Sequence, residues 1–118
     1  LLGDGHLLLF NNNLGGVNSE VLEIDPLTQE VIWSYRGSGR EFFTGTCGAS
    51  QRLANGNTLI TETEAGRAFE VTRDKRIVWE YLNPHRSTDS QSVALLFEVV
   101  RMDPNRFDES FRAVWRSQ

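Results

Sequence analysis

From Leu7 to Leu82 the chain is a succession of short runs rich in β-forming residues, several alternating apolar with polar, punctuated by Gly, Asn, Asp and Pro. Such runs predict β-strands, because successive side chains in a strand point to opposite faces. Leu7–Phe10, Val21–Ile24 and Val31–Tyr35 are the first three, and in the third Val31, Trp33 and Tyr35 share a face opposite Ile32 and Ser34. Asp25-Pro26-Leu27-Thr28 predicts a type I turn, with Asp first and Pro second. The stretch "GASQRLANGNTLI" predicts a strand over about Gly48–Leu53, a tight turn at Asn55-Gly56 and a further strand.

The pattern is written twice. "GHLLLF" matches "GNTLIT", "VLEI" matches "AFEV", and "EVIWSY" matches "RIVWEY". Gly5 recurs as Gly56, Val21 as Ala68 and Trp33 as Trp79, so the offset shrinks from 51 to 47 to 46 residues. Both steps fall in turns, where a structural repeat tolerates length changes. A four-stranded unit repeating at that length predicts a β-propeller blade, known repeats of which run at roughly 40 to 50 residues. The expected fold is all-β: about two four-stranded propeller blades, a partial propeller, with a short C-terminal strand and a helix. Residues 1–47 form an incomplete first blade, 48–84 a second, and 85–118 a loop, strand and tail packing on the blades. Within that tail "NPHRSTDSQ" predicts a loop and Ser92–Met102 a strand. Asp103-Pro104 predicts a helix start, and Phe107, Phe111, Val114 and Trp115 share one helical face.

Composition narrows the chemistry. The 118 residues carry 12 basic and 16 acidic groups, a net charge of -4, and the mean hydropathy is -0.38. Nucleic-acid and anionic-membrane surfaces need clustered Lys and Arg, so neither partner is expected. No apolar run approaches the roughly 20 residues that span a bilayer, and no secretory-signal pattern is legible. The single Cys47 has no intrachain partner and reads as a small buried thiol. Nucleotide-loop, CxxC, HExxH and GxSxG motifs are absent. "NNNLGGVN" has amide oxygens but no carboxylates, so no metal and no cofactor are expected.

"GHLLLFNN", "SEVLEIDPLTQEVIWSY" and "QRLANGNTLITETEAGRAFEVTRDKRIVWEYLNP" together resemble the arylsulfotransferase family of bacterial β-propeller proteins, over about Gly3–Pro84. The resemblance implies a six-bladed propeller that moves a sulfuryl group from an aryl sulfate ester to a phenol through a sulfated histidine, without a metal in the chemistry. Imidazole is a good nucleophile near neutral pH, and cationic donors stabilise charge on the group in flight. It also implies export, toward the periplasm or beyond.

The family's catalytic histidine opens an "HDA" element, and counting back from Asn57 places it at Gly48, followed by Ala49 and Ser50. His6 lies in a turn where its repeat partner is Asn57, and His85 in a loop, so no catalytic residue is assigned. Glu23 and Glu70 read as recurrent structural hydrogen-bonders, and Trp33 and Trp79 as packing between blades. Gln51 and Arg52 on an innermost strand, Arg40 and Thr44 on the approach to it, and Glu62 at the end of the next strand are the substrate-facing residues expected along a central channel. An arginine there would bind a sulfate-like anion or else pair with a nearby acid. The chain therefore reads as the C-terminal portion of such an enzyme, inactive alone. The other reading is a non-catalytic module that self-associates, three copies of two blades making six, through head-to-tail contacts.

Overall fold

The computed structural model describes residues 1–37, 42–89 and 91–116. It is nearly all β. Strands β1 (Leu7–Asn11), β2 (Glu20–Ile24) and β3 (Val31–Tyr35) form one antiparallel sheet in that order. Strands β4 (Ala49–Arg52), β5 (Thr58–Glu62), β6 (Arg67–Val71) and β7 (Ile77–Leu82) form a second, also in sequence order. A 3-10 turn over Pro104–Arg106 and one helix, α1 (Glu109–Arg116), follow. Two small meandering sheets are consistent with a partial propeller. The radius of gyration, 16.1 Å, exceeds the roughly 13.5 Å of a compact domain this long, as an open arrangement requires.

The repeat in the sequence is a repeat in register. Glu23 lies opposite Trp33 and Val21 opposite Tyr35; Glu70 lies opposite Trp79 and Ala68 opposite Tyr81. The irregularity in the ladder also recurs, between Glu23 and Ile24 and between Glu70 and Val71. The turns agree too: Asp4 Oδ1 accepts from the His6 N–H at 3.1 Å, and Asn55 Oδ1 from the Asn57 N–H at 3.0 Å.

The two sheets meet through one face of each. Leu8, Phe10, Val21, Trp33 and Tyr35 of the first pack on Ile60, Phe69 and Val71 of the second, with Phe42 from the connection between them. Phe42 lies 5.6 Å from Phe10, 5.9 Å from Tyr35 and 5.5 Å from Phe69, ring centre to ring centre. The pairs with Phe10 and Phe69 are edge-to-face, a geometry that adds to burial about 0.5–1.5 kcal/mol per pair. Sequence repetition gave no warning of Phe42, which lies outside the matched phrases.

Three expectations are corrected. The stretch Ser92–Met102 is extended but joins no sheet; only an isolated bridge between Arg86 and Val93 forms. Its N–H groups go instead to the Thr61 and Gln51 side chains and to the His85 and Thr63 carbonyls, since no neighbouring strand among the described residues lies alongside it. Cys47 is exposed rather than buried, because its φ of 58° turns the chain into β4 at the surface. The helix begins later than Asp103-Pro104: those residues cap the 3-10 turn, and Asp108 accepts from the Phe111 N–H at 2.9 Å to start α1. Phe107 lies before the helix yet stacks on Phe111 at 4.6 Å. The Trp115 side chain lies outside what is described.

Candidate functional site

The most heavily charged junction is built on Glu23, whose strand register aims it between the sheets where it is only 3% exposed. Arg52 Nη2 donates to its carboxylate at 2.6 Å, Arg73 Nη1 donates to the same oxygen, and His6 Nδ1 lies 3.0 Å from the other. Arg52 also stacks over the Trp33 ring at 4.9 Å, and Trp33 Nε1 donates to the Arg73 carbonyl at 2.9 Å. Burial pushes the Glu23 carboxyl up, but the hydrogen bonds from His6 and Arg73 and the charges of both arginines reverse this, leaving it below the usual carboxylate range.

The second sheet repeats the arrangement. Asn57, the counterpart of His6, donates to Glu70 at 2.6 Å, and Asn55 donates at 3.3 Å. Arg101 from the tail donates to the other Glu70 oxygen and lies 5.3 Å over Trp79. Burial raises Glu70 and these donors more than offset it, again to a net lowering.

Asp4, His6 and Glu23 bring their ligand atoms within 4.8 Å of one another, the one such grouping among the described residues. The donor set does not suit a cation, because two guanidinium groups already occupy the Glu23 carboxylate. His6 instead acts as the third donor. The Glu23 hydrogen bond raises its pKa, burial opposes, and the charges of Asp4, Glu23 and Asp25 add to the rise. A raised folded value means the protonated ring contributes stability fully below its ordinary pKa of about 6.5, and that contribution is lost as pH climbs through the folded value. Stability should therefore fall as pH rises above about 6.5. His6→Asn, which copies Asn57, should flatten that stretch of the profile; urea unfolding midpoints across the range read the difference, and an unchanged slope would remove the assignment.

A second polar cluster lies where the connection meets the end of β5. The buried Thr44 N–H donates to Ser19 Oγ at 3.0 Å, and its hydroxyl accepts from the Glu64 N–H at 3.3 Å. Glu62, 5% exposed, accepts from the Phe43 N–H at 2.9 Å and from Arg67 at 3.2 Å. Arg67 is held charged: burial lowers its pKa, and Glu80 and Glu62 together raise it further than burial lowers it.

Of the five residues read as substrate-facing, the four that are described do not converge. Thr44 and Glu62 share the cluster just described. Arg52 belongs to the Glu23 junction. Gln51 bridges to the tail, its amide donating to the Arg101 carbonyl at 3.0 Å and accepting from the Arg101 N–H at 2.8 Å. Arg40 lies outside the described residues. His85 is exposed in its loop, with its N–H on Asn83 Oδ1 at 3.1 Å. At Gly48, where a family histidine would stand, φ is 98° and a Cβ would come within 2.4 Å of the Phe10 ring.

These features define a class, a repeat protein of small antiparallel sheets packed face on face through matched Glu, Arg and Trp positions. The chain belongs to the arylsulfotransferase family, whose model, described as Arylsulfotransferase (ASST), matches residues 4–84. No curated protein and no solved structure matches it.

Proposed function

We propose that the chain supplies two blades of an arylsulfotransferase-type propeller, whose complete form transfers a sulfuryl group from aryl sulfate esters to phenols, and that these residues alone do not catalyse the transfer. Membership of the family supports the activity of the complete form. One observation carries the second half: at Gly48 the left-handed backbone and the Phe10 ring exclude any side chain, histidine included. The two histidines are elsewhere engaged or exposed, His6 on Glu23 and His85 in a surface loop. In this reading Arg52 spends its charge on the Glu23 pair that joins the two sheets, Glu62 spends its own on Arg67 within the second sheet, and the buried Thr44 secures the connection between them. The ligands of the complete form are small aryl sulfates and phenols, not nucleic acid or membrane. No helix among the described residues is long and apolar enough to cross a membrane.

Incubation with 4-nitrophenyl sulfate and a phenol acceptor tests it. No 4-nitrophenolate release above buffer is expected. Release that disappears in His6→Asn or His85→Asn would overturn the claim.

A second reading, a non-catalytic module that completes its propeller by self-association, is favoured by one further observation. Trp79 and Tyr81, counterparts of the buried Trp33 and Tyr35, are each 40% exposed. The second sheet thus bears the same docking face as the first without a sheet upon it.

A further inference from the structure

The tail sits on the second sheet as β4 sits on the first. Arg52 pairs with Glu23 and stacks on Trp33; Arg101 pairs with Glu70 and stacks on Trp79. Asn12 donates to the Cys47 carbonyl at 2.7 Å, and its counterpart Thr63 accepts, through its own carbonyl, from the Leu96 N–H at 3.2 Å. Residues 98–101 are therefore the counterpart of β4, displaced by one unit. Among the described residues no sheet continues from them.

The first sheet has the reciprocal deficiency. Its strands β1, β2 and β3 correspond to β5, β6 and β7, and among the described residues nothing corresponds to β4, so β1 is an edge. An unpaired edge is a template for another strand. The outer face of that sheet, with Leu9 and Ile32 exposed at 42% and 43%, corresponds to the Ile60 and Phe69 face that packs on Trp33 and Tyr35 inside the chain.

We infer that residues 98–101 of one chain complete the three-stranded sheet of a second copy of the same chain, pairing head to tail with its β1. The register copies β4 on β5, in which Ala49 faces Thr61 and Arg52 faces Thr58. Glu98 then faces Phe10, Val99 faces Leu9, Val100 faces Leu8 and Arg101 faces Leu7. The backbone is set for this. Val99 and Arg101 turn their N–H groups onto Thr61 and Gln51 of their own sheet, so strand alternation leaves those of Glu98 and Val100 toward the open side. The same step brings the outer face of the second copy over Trp79 and Tyr81. Helix α1 does not seal that face: Phe111 and Val114 are 52% and 61% exposed, and a cavity of about 490 Å³ remains between Leu59, Trp79, Val99 and Phe107. The contact is heterologous, so it closes into a ring or runs on. Three copies close it if six blades complete the circle.

This rests on the self-association reading and specifies its surface. Light scattering on the purified chain should give a mass of three times 13.4 kDa at tens of micromolar. Leu9→Lys, at a position half-exposed in the single chain, should keep its far-UV spectrum and raise the concentration needed for assembly at least about tenfold, since a lone charge would be buried. Leu9→Cys and Val99→Cys chains, each also carrying Cys47→Ser, should cross-link on oxidation only when mixed. A monomer at these concentrations overturns both the inference and the self-association reading. An assembly that survives Leu9→Lys or fails to cross-link overturns the inference alone. The sulfuryl-transfer assay reads independently of either.

Discussion

Glu23→Ala lowers the free energy of unfolding by about 3–5 kcal/mol, the range for removing one partner of a buried ion pair. The loss comes from what remains. Arg52 has only 13% of its side chain exposed, wedged between the sheets over Trp33, and without Glu23 its charge is left desolvated. Glu70→Ala at the equivalent position should cost less, about 1–2 kcal/mol, because its arginine can turn to water: Arg101 is 43% exposed. The acid limb of the stability profile follows from the same groups. Glu23 and Glu70 are both lowered in the folded state, so each adds stability above the ordinary carboxylate range and loses it as pH falls through the folded value. Glu23→Ala should blunt that acid limb as well as shift the unfolding midpoint in urea. A loss below about 1 kcal/mol, or a Glu70 variant as damaging as the Glu23 one, would mean that the buried charge is not what joins the sheets.

Short runs of strand-forming residues, the turns that bound them and the duplicated pattern were together sufficient to read the strands; β4, ASQR, has no β-branched or aromatic residue and was legible only from its place before the Asn55-Gly56 turn. Asp4-Gly5 and Asn55-Gly56 fixed where β1 and β5 begin, and the Glu-opposite-Trp register follows from the duplicated phrase. Pairing between units was less legible. That Glu23 and Arg52 would meet depends on how one sheet is laid upon another, and no local period records that. For Arg52 on an innermost strand the sequence left two partners open, a sulfate-like anion or a nearby acid; the partner it meets is a carboxylate of the neighbouring sheet. The tail shows the same limit. "SVALLFEVV" has strand propensity throughout, but propensity cannot supply a neighbour, and without one the segment stays extended and unpaired. Gly48 is the opposite case. The sequence showed only that a glycine stands where the family histidine would fall; its positive φ and the Phe10 ring against it explain why no larger residue fits.

Phe69→Ala should be the most damaging single truncation in the interface between sheets, at about 3–5 kcal/mol. Phe69 is fully buried, lies 5.8 Å from Tyr35 and 5.5 Å from Phe42, and carries the Arg67 guanidinium 4.3 Å over its ring. Truncation opens a cavity among side chains drawn from both sheets and from their connection, so none of them can collapse into it without moving a strand. The repeat provides an internal control. Leu22 occupies the same position in the first sheet but faces outward and is only partly buried, so Leu22→Ala in the single chain should cost less than half as much. Phe97→Ala, at 67% exposure, should stay within about 0.5 kcal/mol. Urea midpoints for the three variants rank them directly. If Leu22→Ala proved as costly as Phe69→Ala, its face would have to be covered in the single chain too, and the description of one closed and one open interface would not stand.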